Sequence, residues 1–201
     1  SHESLFYQTA LAALPLEPAG YADFPQRMAD YMRKAAREGK THTSWTHPEP
    51  AYEEALDHFV RTALKDEGPN DFLAQLRGFA QSLDPFAALG SLSLALLKFT
   101  SPGVPDVYQG CELIERSLVD PDNRRPVDFD ARRDALAALC DLAAGGRMQE
   151  GVDELAGDAG DGRAKLWTTW RLLALRREAP ELFHYGSYEA LPVLGERAHH
   201  V

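Results

Sequence analysis

Two polar clusters hold the residue types best suited to chemistry. Lys34, Arg37 and Lys40 crowd the end of a basic helix-forming stretch, and Trp45 follows in the polar loop after it. Ammonium and guanidinium donors beside an aromatic face can make a platform for a sugar. The plainer alternative is a helix end whose cations complement the dipole, next to a packing tryptophan. The second cluster is Asp120, Asp122, Asn123 and Arg124 within "LVDPDNRRPVDF". Planar guanidinium and carboxylate groups hydrogen-bond vicinal hydroxyls well. The competing role is that Arg124 and Arg125 staple the loop. Asp106, Glu112 and Asp128 complete the acids near these clusters. Each reads as a loop-ordering carboxylate paired with Arg116, Arg124 or Arg125, and Asp106 is the one acid expected to be buried, where it would need a partner.

Other chemistries find little support. Cys111 and Cys140 are two reduced thiols, too few and too far apart for a disulfide framework or a zinc site. Seven histidines are scattered, with only His199 and His200 adjacent, so no metal is expected. The formal charge of −10 disfavours nucleic acid as a partner and is compatible with a neutral ligand. No apolar run approaches the ~20 residues needed to span a bilayer, and the start "SHESLFYQTA" has no signal-peptide pattern. A cytoplasmic location is expected.

Helices must position these groups. Periodicity predicts helices over residues 4–14, then from Asp23 as N-cap with Pro25 in the first turn to Gly39, then from about Ala51 to Lys65. Asn70 caps a fourth helix holding Phe72, Leu73, Leu76 and Phe79. Asp84-Pro85 starts a fifth, "PFAALGSLSLALLKF", apolar most of the way round and so expected to be buried. Another follows Asp130 to about Ala144. The glycine-rich "GGRMQEGVDELAGDAGDG" reads as mobile surface. A last long helix carries Leu166, Trp170, Leu173 and Leu175 before Pro180; Trp167 and Trp170 there read as core.

"TSPGVPDVYQGCEL" (100–113) breaks this pattern. It reads as one strand delivering Tyr108 and Gln109 to its C-terminal end, where Tyr108 either faces a pocket or packs. Alternation around Tyr188, Leu191 and Val193 suggests strands again. A lone strand inside and an incomplete sheet at the end predict part of something larger.

The strand with its Pro-Gly, aromatic and Gly-x-Glu resembles the eighth barrel strand of α-amylase-type enzymes (glycoside hydrolase family 13). The Asp-Pro-Asp-Asn-Arg-Arg-Pro loop resembles the sugar-lined loop that follows it there. The ordered blocks "YMRKAAREGKTHTSW", "YEEALDHFV", "LKFTSPGVPDVYQGCEL", "SLVDPDNRRPVDF" and "LLALRREAPELFHYGSYEAL" resemble one family in that superfamily, the maltooligosyl trehalose synthases, over roughly residues 3–201. The resemblance implies a mainly α chain: a helical insertion (1–98), the last βα unit of a (β/α)8 barrel with its sugar-side loop (99–183), and the start of a C-terminal β domain (184–201).

The family converts the reducing-end α-1,4 bond of a maltooligosaccharide into an α,α-1,1 bond by intramolecular transglucosylation, without a cofactor. Its catalytic carboxylates lie at the ends of barrel strands four, five and seven. The Thr-His-Asp-Thr-Lys-Arg type motif of strand seven lies upstream and is not in "SHES". No catalytic residue is therefore expected here. The family match favours the sugar reading for Lys34, Arg37, Lys40 and Trp45. It also puts the Asp120–Arg124 loop at the C-terminal end of a barrel strand, where such sites gather. The expected partners are the maltooligosaccharide and the missing N-terminal barrel, with self-association of the chain through uncovered apolar surface. The alternatives are a stand-alone helical module binding carbohydrate or protein, and a fragment of another α-glucan enzyme.

Overall fold

A computed structural model describes residues 1–145, 151–153, 155 and 159–198. Of the glycine-rich stretch, residues 146–150, 154 and 156–158 lie outside these, as do His199, His200 and Val201. Its described part is not the mobile surface expected: residues 151–153 and 155 are helical, and Leu155 is buried with Leu139 and Leu166. The chain divides into two compact units, Ser1–Ala88 with Ile114–Asp130, and Leu89–Leu113 with Ala131–Val201. The α-helices bounded within the described residues are α1 His2–Ala13, α2 Phe24–Gly39, α3 Pro50–Ala63, α4 Asp71–Thr100, α5 Phe129–Ala144, α6 Arg163–Glu178 and α7 Pro180–Tyr185. No strand is found among them.

The first unit is built on α1, α2, α3 and the start of α4. Phe6 and Ala10 of α1 and Leu14 at its C-cap keep helical spacing and pack with Phe24, Met28 and Met32 of α2. Val60 of α3, Leu64 at its C-cap, and Leu73 and Leu76 of α4 pack into this core. The predicted punctuation is in place. Asp23 occupies the N-cap position of α2 with Pro25 in its first turn, and the helix ends at Gly39 with Lys40 in the left-handed region at φ 53°. Asn70 accepts the Leu73 amide at 3.0 Å and donates to the Ala63 and Lys65 carbonyls, tying the end of α3 to the start of α4. Leu118 of the 114–130 segment also enters the core.

Where two helices were expected, α4 runs unbroken through Pro85. Proline already has a helical φ, but inside a helix it loses one hydrogen bond and its ring crowds the carbonyl four residues back, a cost of about 3 kcal/mol that the helix-forming residues on both sides and their packing must offset. The joined helix is long and apolar enough to cross a membrane by length and composition alone, contrary to the reading of the sequence. One such helix is weak ground for a span, since core helices of soluble proteins pass the same test. The expected burial of its second half also fails. Ala88, Leu92, Ala95 and Phe99 form its covered stripe, while Phe86 and Leu94 are 71% and 69% exposed and Leu89, Leu96 and Leu97 are open too. Among the described residues, partners cover only one side of it.

The second unit packs Leu92 and Leu113 with Leu136, Leu139 and Leu142 of α5 and with Leu166, Trp167 and Trp170 of α6. The two indoles meet edge-on at 5.4 Å and are half-buried against this core rather than within it, so their core reading holds only in part. The long last helix stops at Glu178, and Pro180 begins the short α7.

The expected strand at 100–113 is absent. Residues 104–108 have no regular structure, since a ladder needs a second strand and none is found among the described residues. Basic side chains take up its carbonyls instead. Arg176 donates to Phe99 O at 2.8 Å, Ser101 O at 3.0 Å and Gly103 O. Arg132 donates to Gly110 O at 2.6 Å and Lys165 to Leu113 O at 3.2 Å. Asp106 is exposed rather than buried, because no sheet closes over it. The C-terminal strands are missing for the same reason: residues 186–194 have no regular structure, and Tyr188, Leu191 and Leu194 lie open.

Candidate functional site

The first unit holds most of the residues singled out for chemistry. The C-terminal turns of α2 carry Lys34 and Arg37, and the loop that follows carries Trp45. Lys34 donates through Nζ to the Asp120 carbonyl at 2.5 Å, so the two polar clusters meet. Lys40 is exposed at the helix end. Arg37 lies over the Trp45 ring, 4.9 Å from its centroid, and Trp45 stays 57% exposed. A guanidinium stacks well on an indole face.

Behind Arg37 stands a residue that the sequence reading passed over. Glu53 accepts Arg37 Nε at 2.8 Å and Arg37 Nη2 at 2.6 Å, a bidentate pair. The Thr43 hydroxyl donates to the same carboxylate at 2.6 Å and accepts the Glu49 amide at 3.0 Å. Hydrogen bonds from Arg37 and Thr43 outweigh the upward push of burial and hold the Glu53 carboxyl down at about 2. A signal was available: Glu53 falls on the apolar stripe of α3, in step with Leu56, Val60 and Leu64. An acid there calls for a buried partner.

The 118–125 loop is built around Asp122. Its carboxylate accepts Arg27 Nε and Nη2, both at 2.8 Å, and the Leu118 amide at 2.6 Å. Arg27 Nη2 also donates to Arg116 O at 3.0 Å. Both side chains are 11% exposed. Burial alone would raise the Asp122 pKa; Arg27, the Leu118 amide and Arg125 overcome it and hold the group charged, below the usual range. Arg27, the second overlooked residue, had no sequence signal beyond its place beside the stripe of α2.

Asp120 pairs with Arg124 through both oxygens, and the Asp120–Pro121 peptide is cis. Asn123 places its side-chain oxygen in the interior without a hydrogen-bond partner. Arg125 reaches Asp23 at 3.1 Å, and Arg116 pairs with Asp84 at 2.6 Å. Beside Arg37, between α2 and α3, lies a concave region of about 540 Å³ lined by Arg33, Glu53, Asp57, His58 and Arg61 among others.

Tyr108 and Gln109 belong to the second unit. Both are exposed, in a turn closed by the Cys111 amide on the Tyr108 carbonyl at 3.0 Å. Gly110 supplies the φ of 91° that the third position of this turn requires. Glu112 pairs with Arg132 at 3.3 Å, and Cys111 and Cys140 are free thiols. Among the described residues no group of three or more His, Cys, Asp or Glu side chains is arranged to hold a metal.

No protein-family model matches the chain. Curated proteins from two strains of Mycobacterium tuberculosis, CDC 1551 / Oshkosh and ATCC 25618 / H37Rv, are named maltooligosyl trehalose synthase. Each is 36% identical to the chain over 195 residues. That match takes in 97% of this chain and 22% of each relative, so the chain spans about a fifth of their length. A crystal structure of a maltooligosyl trehalose synthase superposes on 96% of the chain with a TM-score of 0.78 and 30% identity, using 25% of its own length. The maltooligosyltrehalose synthase of Arthrobacter ramosus superposes on 98% of it with a TM-score of 0.73 and 34% identity, using 23% of its own length. Over nearly its whole length, then, the chain is homologous to the maltooligosyl trehalose synthases and corresponds to their C-terminal part.

Proposed function

We propose that this chain is the C-terminal portion of an α-amylase-superfamily enzyme. The whole enzyme converts the reducing-end α-1,4 linkage of a maltooligosaccharide to an α,α-1,1 linkage by intramolecular transglucosylation. It is a cytoplasmic isomerase that needs no cofactor. Residues 1–98 are its helical insertion, 99–183 its last barrel strand region and following helices, and 184–201 the start of its C-terminal β domain. The observation that carries this reading is the similarity across 97% of the chain to synthases several times its length.

In that enzyme the reaction needs a nucleophilic carboxylate and an acid/base carboxylate flanking the scissile bond. The acids here do not suit either part. Asp122, Glu53 and Asp120 are each engaged with an arginine. The three catalytic carboxylates belong to the barrel segment outside this chain, and the portion in hand contributes binding. Trp45 offers a face for a glucose ring, Arg37 backs that face from the other side, and Lys34 and Lys40 are the donors to its hydroxyls. Asn123, Asp120 and Arg124 are the polar groups of the neighbouring loop, whose backbone Asp122 and Lys34 hold in place. Tyr108 and Gln109 face sugar once the barrel surrounds them. The missing N-terminal barrel covers the open side of α4, and without it that surface drives self-association.

The chain on its own is expected to be inactive. Incubation with maltopentaose, followed by an assay for a non-reducing trehalosyl product, should show none. Robust turnover would overturn the placement of the catalytic carboxylates outside this chain.

A further inference from the structure

Glu53 combines three properties that an ordinary surface ion pair lacks. Its side chain is 10% exposed on the apolar stripe of α3. It receives both forks of Arg37 and the Thr43 hydroxyl. The guanidinium it fixes is the one under Trp45. A bidentate pair fixes the guanidinium in place, and an indole held against it by cation–π attraction is fixed with it. Stapling the 41–49 loop to α2 and α3 explains the Thr43 and Arg37 contacts. It does not explain an indole left 57% open on the outer side of the pair, since a ring serving only the core would turn inward. The carboxylate also cancels the charge of Arg37, leaving a neutral surface under the ring.

We propose that the Glu53–Arg37 pair is a positioning device that presets Trp45 as a stacking surface for a glucose ring of a maltooligosaccharide. This rests on the sugar reading above and adds to it the residue that aims the platform. The C–H face of a pyranose packs on the open side of the indole. Because the ring is already held, less conformational freedom is lost on binding. Glu53 touches no sugar; it acts through Arg37.

The test uses the full chain labelled with 5-fluorotryptophan, whose three tryptophans give three fluorine resonances. Trp45→Phe identifies the Trp45 signal, and those of Trp167 and Trp170 report on the rest of the fold. Maltopentaose is expected to shift the Trp45 signal saturably. Glu53→Gln and Arg37→Lys should each move that signal in the absence of sugar and raise the fitted Kd by about fivefold or more, as loss of a preset geometry does. Arg37→Lys keeps the charge and the contact with Glu53 while losing the planar fork, so it serves if Glu53→Gln melts early. A merely structural pair would leave the Kd of a variant with wild-type melting unchanged. Wild-type affinity in both variants, with the Trp45 response intact, overturns the positioning role and leaves the sugar reading standing. No response of Trp45 to maltopentaose in the wild-type chain overturns the sugar reading and the positioning role with it.

Discussion

Asp122→Asn keeps the shape of its side chain but removes the charge that two arginines and the Leu118 amide converge on. Hydrogen bonds to charged groups contribute about 1.5–3 kcal/mol, and the exchange should cost stability in that range by urea denaturation. Glu53 gives a prediction in pH. Its carboxyl titrates at about 2 rather than the ordinary 4.5, so folding binds its proton more weakly than the unfolded chain does. The stability it contributes is present above 4.5 and is lost as pH falls toward about 2. The difference in melting temperature between the wild type and Glu53→Gln should therefore shrink across that interval. A difference that stays constant would mean the carboxyl is not held by Arg37 and Thr43. The sequence showed Arg37 and Trp45 as neighbours of like purpose because they sit close along the chain. It could not show that Arg27 meets Asp122 or that Arg37 meets Glu53, since those pairings depend on how α2, α3 and the 118–125 loop come together.

Helices were legible wherever caps and periodicity agreed. Asp23 with Pro25, Asn70 with Leu73, and Pro180 after Glu178 all mark real boundaries. Pro85 misled because the same residue starts one helix and is tolerated inside another; only what flanks it in space decides. The 100–113 segment failed for a different reason. Its pattern is that of a strand, but a strand is a relation between two segments, and no second one is found among the described residues. Its backbone relies on Arg176, whose guanidinium also lies 4.1 Å from the Phe183 ring centroid. Arg176→Ala strips the end of α4 and the residues after it of that donor. It should lower stability by about 1.5–3 kcal/mol in urea. A loss near zero would mean that water replaces the guanidinium freely.

For the molecule as a whole, the open side of α4 is the feature that most needs explaining. Leu89 and Leu97 are both more than half exposed. A contiguous apolar face of this kind marks a surface built to be covered. The chain should scatter light as oligomers at moderate concentration and bind a hydrophobic dye. Leu89→Gln combined with Leu97→Gln should reduce both effects while leaving stability within about 0.5 kcal/mol, as surface substitutions do. A chain that stays monomeric and dye-free would favour a self-sufficient helical module. The end of the chain carries a further consequence. Residues 186–194 run without regular structure, and Tyr188 and Leu191 stand open there, the kind of segment that fits a protease cleft. Chymotrypsin should clip at these two residues first. The trimmed product should melt as the parent does, because the cut lies beyond the last helix.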